Sequence, residues 1–401
     1  MDHPVGPNMH EPDGKRQHCQ NKRERKLKGV RVATTDDLQT HERVESSWYE
    51  LIAGQLHALI PKIGIEEASA QLYKAYELIC RDSLGCPVEP GTRSSRLNLD
   101  GTPIQFALAL GHPTVPLQFL SEAGDPGMSH TENRAFIEET VRALSALLQL
   151  RGDLDSILGL IRRASAVDAR EIDPDRGGTF WVGAGFASGG KSGIKIYING
   201  KSGAPSARWL KLEDFAAYFG AAETHRQLRQ LLAGKMTPLG MAVSLQQDEN
   251  PNGRIYLSGY GNSVSYYESL LRHFGGKQYI ELFKQYTRVM LGRDRAYPTQ
   301  SVVFSVGFEQ GADDPPDVKI EFCGHCLFQG DSQARDRCLR WLTLRNIDPH
   351  AYTDQLEVLA GQMSPTKVNT HVYLGLGWKK QRDYTSIYLK PQPASANTAD
   401  A

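Results

Sequence analysis

The chain has 401 residues, of which 40% are hydrophobic and 23% charged, as in an ordinary globular protein. Lys plus Arg and Asp plus Glu both number 46, so the overall charge points to neither nucleic acid nor an acidic membrane as a partner. No apolar run reaches the length of a membrane span or a secretory signal, and six scattered cysteines are typical of reduced thiols, so we expect a cytoplasmic protein.

In chain order, the composition predicts a disordered basic N-terminal arm over residues 1–40. It predicts a single domain over residues 41–391 and a flexible tail over residues 392–401. Helical periodicity recurs in pairs within the single domain, and a Ser129-x-x-Glu132 capping box opens one of the helices. The other predicted helices are Val44–Ile60, Ile65–Cys80, Asp153–Ala169, Lys211–Phe219, Glu223–Leu232, Ser265–Phe274, Lys277–Leu291, Asp331–Leu344 and Ala351–Met363.

A β-hairpin follows each predicted helix pair, beginning near Pro103, Phe180, Met241, Ser301 and Thr370. The chain therefore consists of five ααββ units. Ten strands that pair side by side can curl into a closed antiparallel barrel, which removes the exposed sheet edges. We predict an α+β fold in which α-helices surround a ten-stranded antiparallel β-barrel with a ligand-sized lumen.

Cations and tyrosines alternate with aliphatic residues along several of these strands. Ile194–Asn199 and Arg254–Ser258 show the pattern most clearly, and Val318–Phe322 and Ser386–Lys390 follow it. For one strand alone, a solvent-facing polar stripe would be the better explanation, because alternate side chains point to opposite faces. The recurrence on four strands favours a polar stripe that faces the lumen.

Strand parity predicts which side chains line the lumen. They are Gln105, Ala107, Ala109, Gln118, Leu120, Glu122, Lys195, Tyr197, Asn199, Arg254, Tyr256, Ser258, Lys319, Glu321, Cys323, His371, Tyr373, Tyr384, Ser386, Tyr388 and Lys390. Four cations against two carboxylates make the predicted lumen net positive. Such a cavity suits a polyanion such as a diphosphate, and tyrosine rings can stabilise a carbocation.

The order and spacing of several short motifs resemble the ABBA-type aromatic prenyltransferases (the PT barrel), specifically the dimethylallyltryptophan synthase family. The likeness is carried by Leu99–Gln105, Phe119–Glu122, Lys195-Ile196-Tyr197, Arg254-Ile255-Tyr256 and the pair Tyr384 and Tyr388. Among relatives, the bacterial enzymes that prenylate tryptophan or indolactams are the most similar in length and style.

The resemblance implies roles for particular residues. Prenyl diphosphate would be bound by Gln118, Lys195, Tyr197, Arg254, Tyr256, Lys319, Tyr384 and Tyr388. The acceptor would be bound by Gln105, Ala107, Trp181, His371 and Tyr373, and the catalytic residues would be Gln105 and Glu321. No cofactor or metal is expected beyond a C5 or C10 prenyl diphosphate as co-substrate. The partners would be small molecules, with no nucleic acid or membrane, for a monomer or weak homodimer.

Departures from the family pattern leave the proton acceptor and the position attacked open. Gln105 stands where many relatives have a glutamate, and an amide is not a useful base. Glu321 or His371 would then take the proton, or it leaves to water or diphosphate. Gln118 replaces an arginine, Asn252 the first basic residue of an Arg-x-Lys-x-Tyr run, and Lys319-Ile320-Glu321 a Gln-x-Tyr strand.

Two motifs suggest other chemistry. Asp313-Asp314-Pro315-Pro316-Asp317 matches a magnesium-binding DDxxD pattern, but consecutive prolines favour a hairpin turn. Cys323-Gly324-His325-Cys326 has a thiol-oxidoreductase spacing without the surrounding βαβ pattern, and zinc binding with Cys338 is weaker still.

The expected function is metal-independent transfer of a dimethylallyl or geranyl group to the indole of tryptophan or a tryptophan-derived intermediate. The alternatives are a peptide side-chain prenyltransferase and a non-catalytic barrel that binds a hydrophobic anion.

Overall fold

The computed structural model describes residues 47–392, apart from 81–82, 86–87, 89–94, 96, 99, 112–116, 125–127, 167–179, 202–203, 233, 248, 260–261, 276, 293–300, 312–315, 362 and 381. The predicted arm at 1–40 and the tail beyond Gln392 lie outside the described residues. No helix in the described ranges is both long and apolar enough to cross a membrane.

Side-chain caps set the start of three helices. Ser47 and Glu50 form a capping box, the predicted box of Ser129 and Glu132 is present, and Asp153 caps a third helix. The described helices are α1 (Trp48–Ile63), α2 (Ser69–Cys80), α3 (His130–Leu148), α4 (Leu154–Ala164), α5 (Pro205–Tyr218), α6 (Ala222–Leu232), α7 (Val264–Gly275), α8 (Lys277–Leu291), the single-turn α9 (Gly324–Leu327), α10 (Asp331–Leu344) and α11 (His350–Ala360).

Ten antiparallel strands form a closed barrel in which each strand pairs with its chain neighbours and β1 pairs with β10, as predicted. The strands are β1 (Ile104–Leu110), β2 (Leu117–Glu122), β3 (Phe180–Phe186), β4 (Ser192–Asn199), β5 (Met236–Gln246), β6 (Asn252–Gly259), β7 (Val302–Glu309), β8 (Asp317–Cys323), β9 (His371–Lys379) and β10 (Arg382–Leu389). The α+β barrel of five ααββ units is therefore confirmed.

The aliphatic faces of the strands pack against the helices and form one core around the barrel. On β4, for example, Ile194, Ile196 and Ile198 are buried, whereas the intervening Lys195 and Tyr197 keep part of their surface accessible. Because helices cover the outer face, this accessible surface faces the lumen. Strand alternation thus separates a hydrophobic core outside the barrel from a polar cavity inside it.

Candidate functional site

Lys195 lies in the lumen wall beside two tyrosine rings. Its Nζ is 4.9 Å from the ring centre of Tyr197 and 5.6 Å from that of Tyr256, both within cation–π range. Burial, followed by the nearby cations Lys319 and Arg254, holds the pKa of Lys195 well below its usual value. Among the described residues, no carboxylate lies within 4 Å of this ammonium. An anion in the lumen would relieve that repulsion.

Arg254 projects from β6 across the adjacent strand β7. Its Nη1 donates a hydrogen bond to Ser305 Oγ at 3.1 Å, and its Nη2 lies 3.7 Å from Asp317 Oδ2. The position opposite Arg254 on β7 is Gly307, where a Cβ would lie only 2.8 Å from Nη2. The guanidinium therefore occupies the space that a side chain at position 307 would take.

Lys319 and Glu321 form a deeply buried ion pair on β8. Lys319 Nζ lies 2.6 Å from Glu321 Oε1 and also donates a hydrogen bond to the Tyr388 hydroxyl at 2.9 Å. The same ammonium is 5.1 Å from the centre of the Tyr388 ring. The Lys319 ammonium thus links Glu321 to Tyr388, both of which were predicted to line the lumen. Its third N–H bond is left to reach a ligand.

Four of the predicted lumen tyrosines remain protonated at neutral pH. Burial raises the pKa of Tyr197 to about 12 and the pKa values of Tyr256, Tyr373 and Tyr388 further above their usual value of 10. Each phenol can therefore donate a hydrogen bond to an anion. The Tyr256 hydroxyl is buried, and its interaction with Tyr197 partly offsets the effect of burial on the pKa of Tyr197.

Tyr384 lies close to one of the lumen cations, whereas Gln118 makes no hydrogen bond to any of them in the described structure. A Cβ at Gly377 would meet the Tyr384 ring at 2.4 Å, so this glycine lets the ring lie flat on β9. Tyr384 is near enough to Arg254 to help raise the pKa of that guanidinium against the opposing effect of burial. Gln118 pairs with Ala107 and Gly185 on the lumen face, but no hydrogen bond joins it to the cations in the described structure.

Gln105, which was predicted to bind the acceptor substrate, has a fixed orientation. Its Nε2 donates a hydrogen bond to Asn98 Oδ1 at 2.8 Å, and Asn98 Nδ2 in turn donates to the carbonyls of Thr102 and Ile104. Because the amide nitrogen is engaged, the carbonyl oxygen Oε1 is the end of Gln105 that remains to accept an N–H. Asn98, which lies just outside the Leu99–Gln105 motif, is the residue that sets this orientation.

Three other residues that were predicted to bind the acceptor substrate lie on the lumen face, namely Ala107, Trp181 and Tyr373. Ala107 pairs with Tyr388, which pairs with Tyr373, and Trp181 pairs with Tyr197. The indole Nε1 of Trp181 is buried without a hydrogen-bond partner among the described residues. Small Ala107 beside these aromatic rings leaves space for a planar ligand.

His371 does not line the lumen, contrary to the prediction. Its ring lies between β9 and the helices, where Nδ1 is 2.8 Å from Asp331 Oδ1 and Nε2 is 2.8 Å from the Tyr352 hydroxyl. The reason is an irregularity in the β9–β10 register, in which Tyr388 pairs with Tyr373 but Leu389 pairs with His371. The extra residue reverses the parity of His371 and turns it outward. Neither acceptor binding nor proton transfer can be assigned to it.

Two further carboxylates cancel the positive excess that the sequence predicted for the lumen. Lys390 contacts Asp100 directly, and Arg254 faces Asp317, so two carboxylates outside the predicted set balance two of the four cations. Asp313 and Asp314 of the DDxxD pattern lie outside the described residues, whereas Asp317 opens β8. Of the four basic side chains, Lys195 is the one with no carboxylate within 4 Å among the described residues.

No protein-family profile matches the chain, and no curated protein matches its sequence. Its structure is similar to 5-dimethylallyl tryptophan synthase from Streptomyces coelicolor in complex with DMASPP and Trp, with a TM-score of 0.72 and 18% identity over 89% of this chain and 98% of that chain. It is also similar to 6-dimethylallyltryptophan synthase from Micromonospora olivasterospora in complex with DMASPP and Trp. That match has a TM-score of 0.71 and 19% identity over 86% of this chain and 97% of that chain.

A third similar structure is prenyltransferase PriB in a ternary complex with L-tryptophan and dimethylallyl thiolodiphosphate. Its TM-score is 0.69 at 20% identity, over 86% of this chain and 96% of that chain. These comparisons confirm the predicted ABBA fold, since the similarity extends over most of both chains in each case. At such identities they establish the architecture alone.

Proposed function

We propose that this protein is an aromatic prenyltransferase that moves a dimethylallyl or geranyl group from its diphosphate to the indole ring of tryptophan or a tryptophan-derived compound. The observation that carries the proposal is Lys195, a lumen amine that lies beside two tyrosine rings and has no carboxylate within 4 Å among the described residues. An anion attached to a hydrophobic group that can become a cation fits both features of this environment.

The donor would bind with its diphosphate against Lys195, Arg254 and Lys319. These groups, with the hydroxyls of Tyr197, Tyr256, Tyr384 and Tyr388, would stabilise the negative charge that grows as the C–O bond breaks. The electron pair of that bond leaves with the diphosphate, and the allylic cation remains among the tyrosine rings. Cationic side chains would thus do what magnesium does in other isoprenoid enzymes, and no metal would be required for the transfer.

The acceptor would bind with its indole N–H directed to Gln105 Oε1, which Asn98 orients. An electron-rich carbon of the ring attacks the allylic cation, forming the new C–C bond. Loss of the proton from that carbon restores aromaticity, and Glu321 is the buried carboxylate that we assign to accept it. The similar structures that contain tryptophan and a prenyl diphosphate analogue support an indole as the acceptor class.

The test is a product screen by mass spectrometry with purified protein. Dimethylallyl and geranyl diphosphate are each offered with tryptophan, an indolactam and a tryptophan-containing peptide, with diphosphate release measured in parallel. The proposal predicts a mass gain of one prenyl group on a free indole compound, unchanged in excess EDTA. Prenylation of the peptide alone would show a peptide side-chain enzyme instead. Donor binding without diphosphate release for any acceptor would show a non-catalytic barrel.

A further inference from the structure

A cluster of soft metal ligands lies where β8 ends at one mouth of the barrel. The donor atoms of Cys323, His325 and Cys326 all lie within 4.8 Å of one another, and Cys323 Sγ is 3.0 Å from His325 Nδ1. Cys323 is buried, Cys326 is partly accessible and His325 is exposed. Cys338 is not part of the cluster, because it is buried in α10 away from these three residues.

The backbone around the cluster is held in place on both sides. The amide of Cys323 donates a hydrogen bond to the Ser301 carbonyl at 2.7 Å, and the single turn of α9 closes through Phe328 N–H to the Gly324 carbonyl at 3.0 Å. A Cβ at position 324 would lie 2.4 Å from the His371 carbonyl oxygen, so only glycine allows this turn to pack on β9. The thiols are therefore brought together by the fold itself.

We propose that Cys323, His325 and Cys326 bind one Zn²⁺ ion through two thiolates and one imidazole nitrogen. Two sulfurs and one nitrogen are typical zinc ligands, and three protein ligands leave a fourth position for water or a ligand. Tetrahedral Zn–S and Zn–N bonds place sulfur and nitrogen about 3.6 Å apart, so Cys323 Sγ and His325 Nδ1, now 3.0 Å apart, need to separate by about 0.6 Å. On binding, both thiols release their protons to solvent.

The ion would lie beside the acceptor end of the lumen, since Cys323 pairs with Tyr373 across β8 and β9. It would be separate from the Lys195, Arg254 and Lys319 group and would take no part in breaking the donor C–O bond. This inference does not depend on the proposed function, because it concerns ion binding by the residues themselves.

The experiment titrates the reduced, metal-free full chain with Co²⁺ under anaerobic conditions and then displaces the Co²⁺ with Zn²⁺. One Co²⁺ per chain with a thiolate charge-transfer absorption band is expected, and one equivalent of Zn²⁺ should remove that band. Cys326→Ser should abolish the band. His325→Ala should weaken binding by more than the roughly 10- to 100-fold loss caused by removing a group that merely supports a ligand.

The matched controls are His350→Ala, at another exposed histidine, and Cys338→Ser, at a cysteine outside the cluster. Both should bind Co²⁺ as the unaltered chain does, and thermal melts check that every variant folds. The proposal is overturned if the reduced chain binds no stoichiometric Co²⁺, or if Cys326→Ser binds it equally well. Rapid disulfide formation between Cys323 and Cys326 without metal uptake would also overturn it, in favour of a redox pair.

Discussion

Lys319 Nζ lies 2.6 Å from Glu321 Oε1, and the two side chains are only 5% and 6% exposed in the lumen wall. They are two residues apart on β8 and so share one face of the strand. A buried pair of this kind is stable because each charge compensates the other, and removal of one partner leaves the other uncompensated. Any role of Glu321 in proton transfer is therefore linked to the charge of Lys319.

Glu321→Gln should lower kcat about a hundredfold, because the amide cannot accept the proton released from the ring. The KM for the donor should change much less, since Lys195 and Arg254 remain. Steady-state kinetics measure both constants, and circular dichroism checks the fold. Glu357→Gln, at an exposed carboxylate that pairs with Lys62, is the matched control and should keep full activity. An unchanged kcat in Glu321→Gln would remove Glu321 as the proton acceptor.

Lys195→Ala and Arg254→Ala should each weaken use of the prenyl diphosphate. The loss of one charge-assisted hydrogen bond is worth about 1.5–3 kcal/mol, or about 10- to 150-fold in kcat/KM for the donor. Lys191→Ala, at an exposed lysine in the β3–β4 turn, should behave as the unaltered protein. Undiminished donor use in both lumen variants would refute the assignment of the diphosphate site.

Binding of inorganic diphosphate should be accompanied by proton uptake at Lys195. In the free protein, burial and the neighbouring cations Lys319 and Arg254 lower the pKa of Lys195. A bound anion favours the charged ammonium and raises that pKa, so protons are taken up at pH values between the free and bound values. Affinity should consequently fall as pH rises through this interval.

Calorimetry in buffers of different ionisation enthalpy measures the number of protons. Lys195→Met, which keeps much of the side-chain volume, should show less uptake than the unaltered protein. Equal uptake in the two proteins would contradict the linkage to Lys195.

His225→Leu should stabilise the fold and reduce its sensitivity to acid. His225 on α6 is fully buried, and neither ring nitrogen has a hydrogen-bond partner within the described residues. Burial lowers its pKa, whereas the unfolded chain regains the usual value of about 6.5, so acid below that pH favours unfolding by protonation.

Removal of the unsatisfied nitrogens should raise the free energy of unfolding by about 1–3 kcal/mol at neutral pH. The gain should increase as the pH falls below about 6.5, because leucine cannot take up the proton. Thermal melts across this range provide the measurement, with the exposed His350→Leu as the control. A variant whose melting temperature falls as steeply with acid as that of the unaltered chain would disprove the role of His225.

The barrel was predictable because alternation on the strands and periodicity on the helices agree in every repeat. Lys277–Leu291 and Asp331–Leu344 were predicted with the bounds that the structure shows, whereas the helix predicted over Asp153–Ala169 ends earlier, at Ala164 of α4. Parity also placed Lys195, Arg254 and Lys319 correctly on the lumen face.

His371 shows where this reasoning fails. A β-bulge adds one residue to a strand, and periodicity alone carries no sign of it. The partners that neutralise or orient the lumen groups, such as Asn98 and Asp317, were also missed. Their positions depend on loops and strand starts that come together only in the closed barrel. Gly307 and Gly377, in contrast, could have been placed on the lumen face from the sequence, because strand alternation puts each of them at an inward position.

The pairing of β1 with β10 has a consequence for synthesis on the ribosome. Phe106 pairs with Leu389, so the last seam of the cylinder joins segments separated by most of the chain. Until β10 emerges from the ribosome, the incomplete sheet has two exposed edge strands. Their unpaired backbone groups can pair with other chains and cause aggregation. Completion is late and non-local, so a chaperone that shields these edges should raise the yield of native protein.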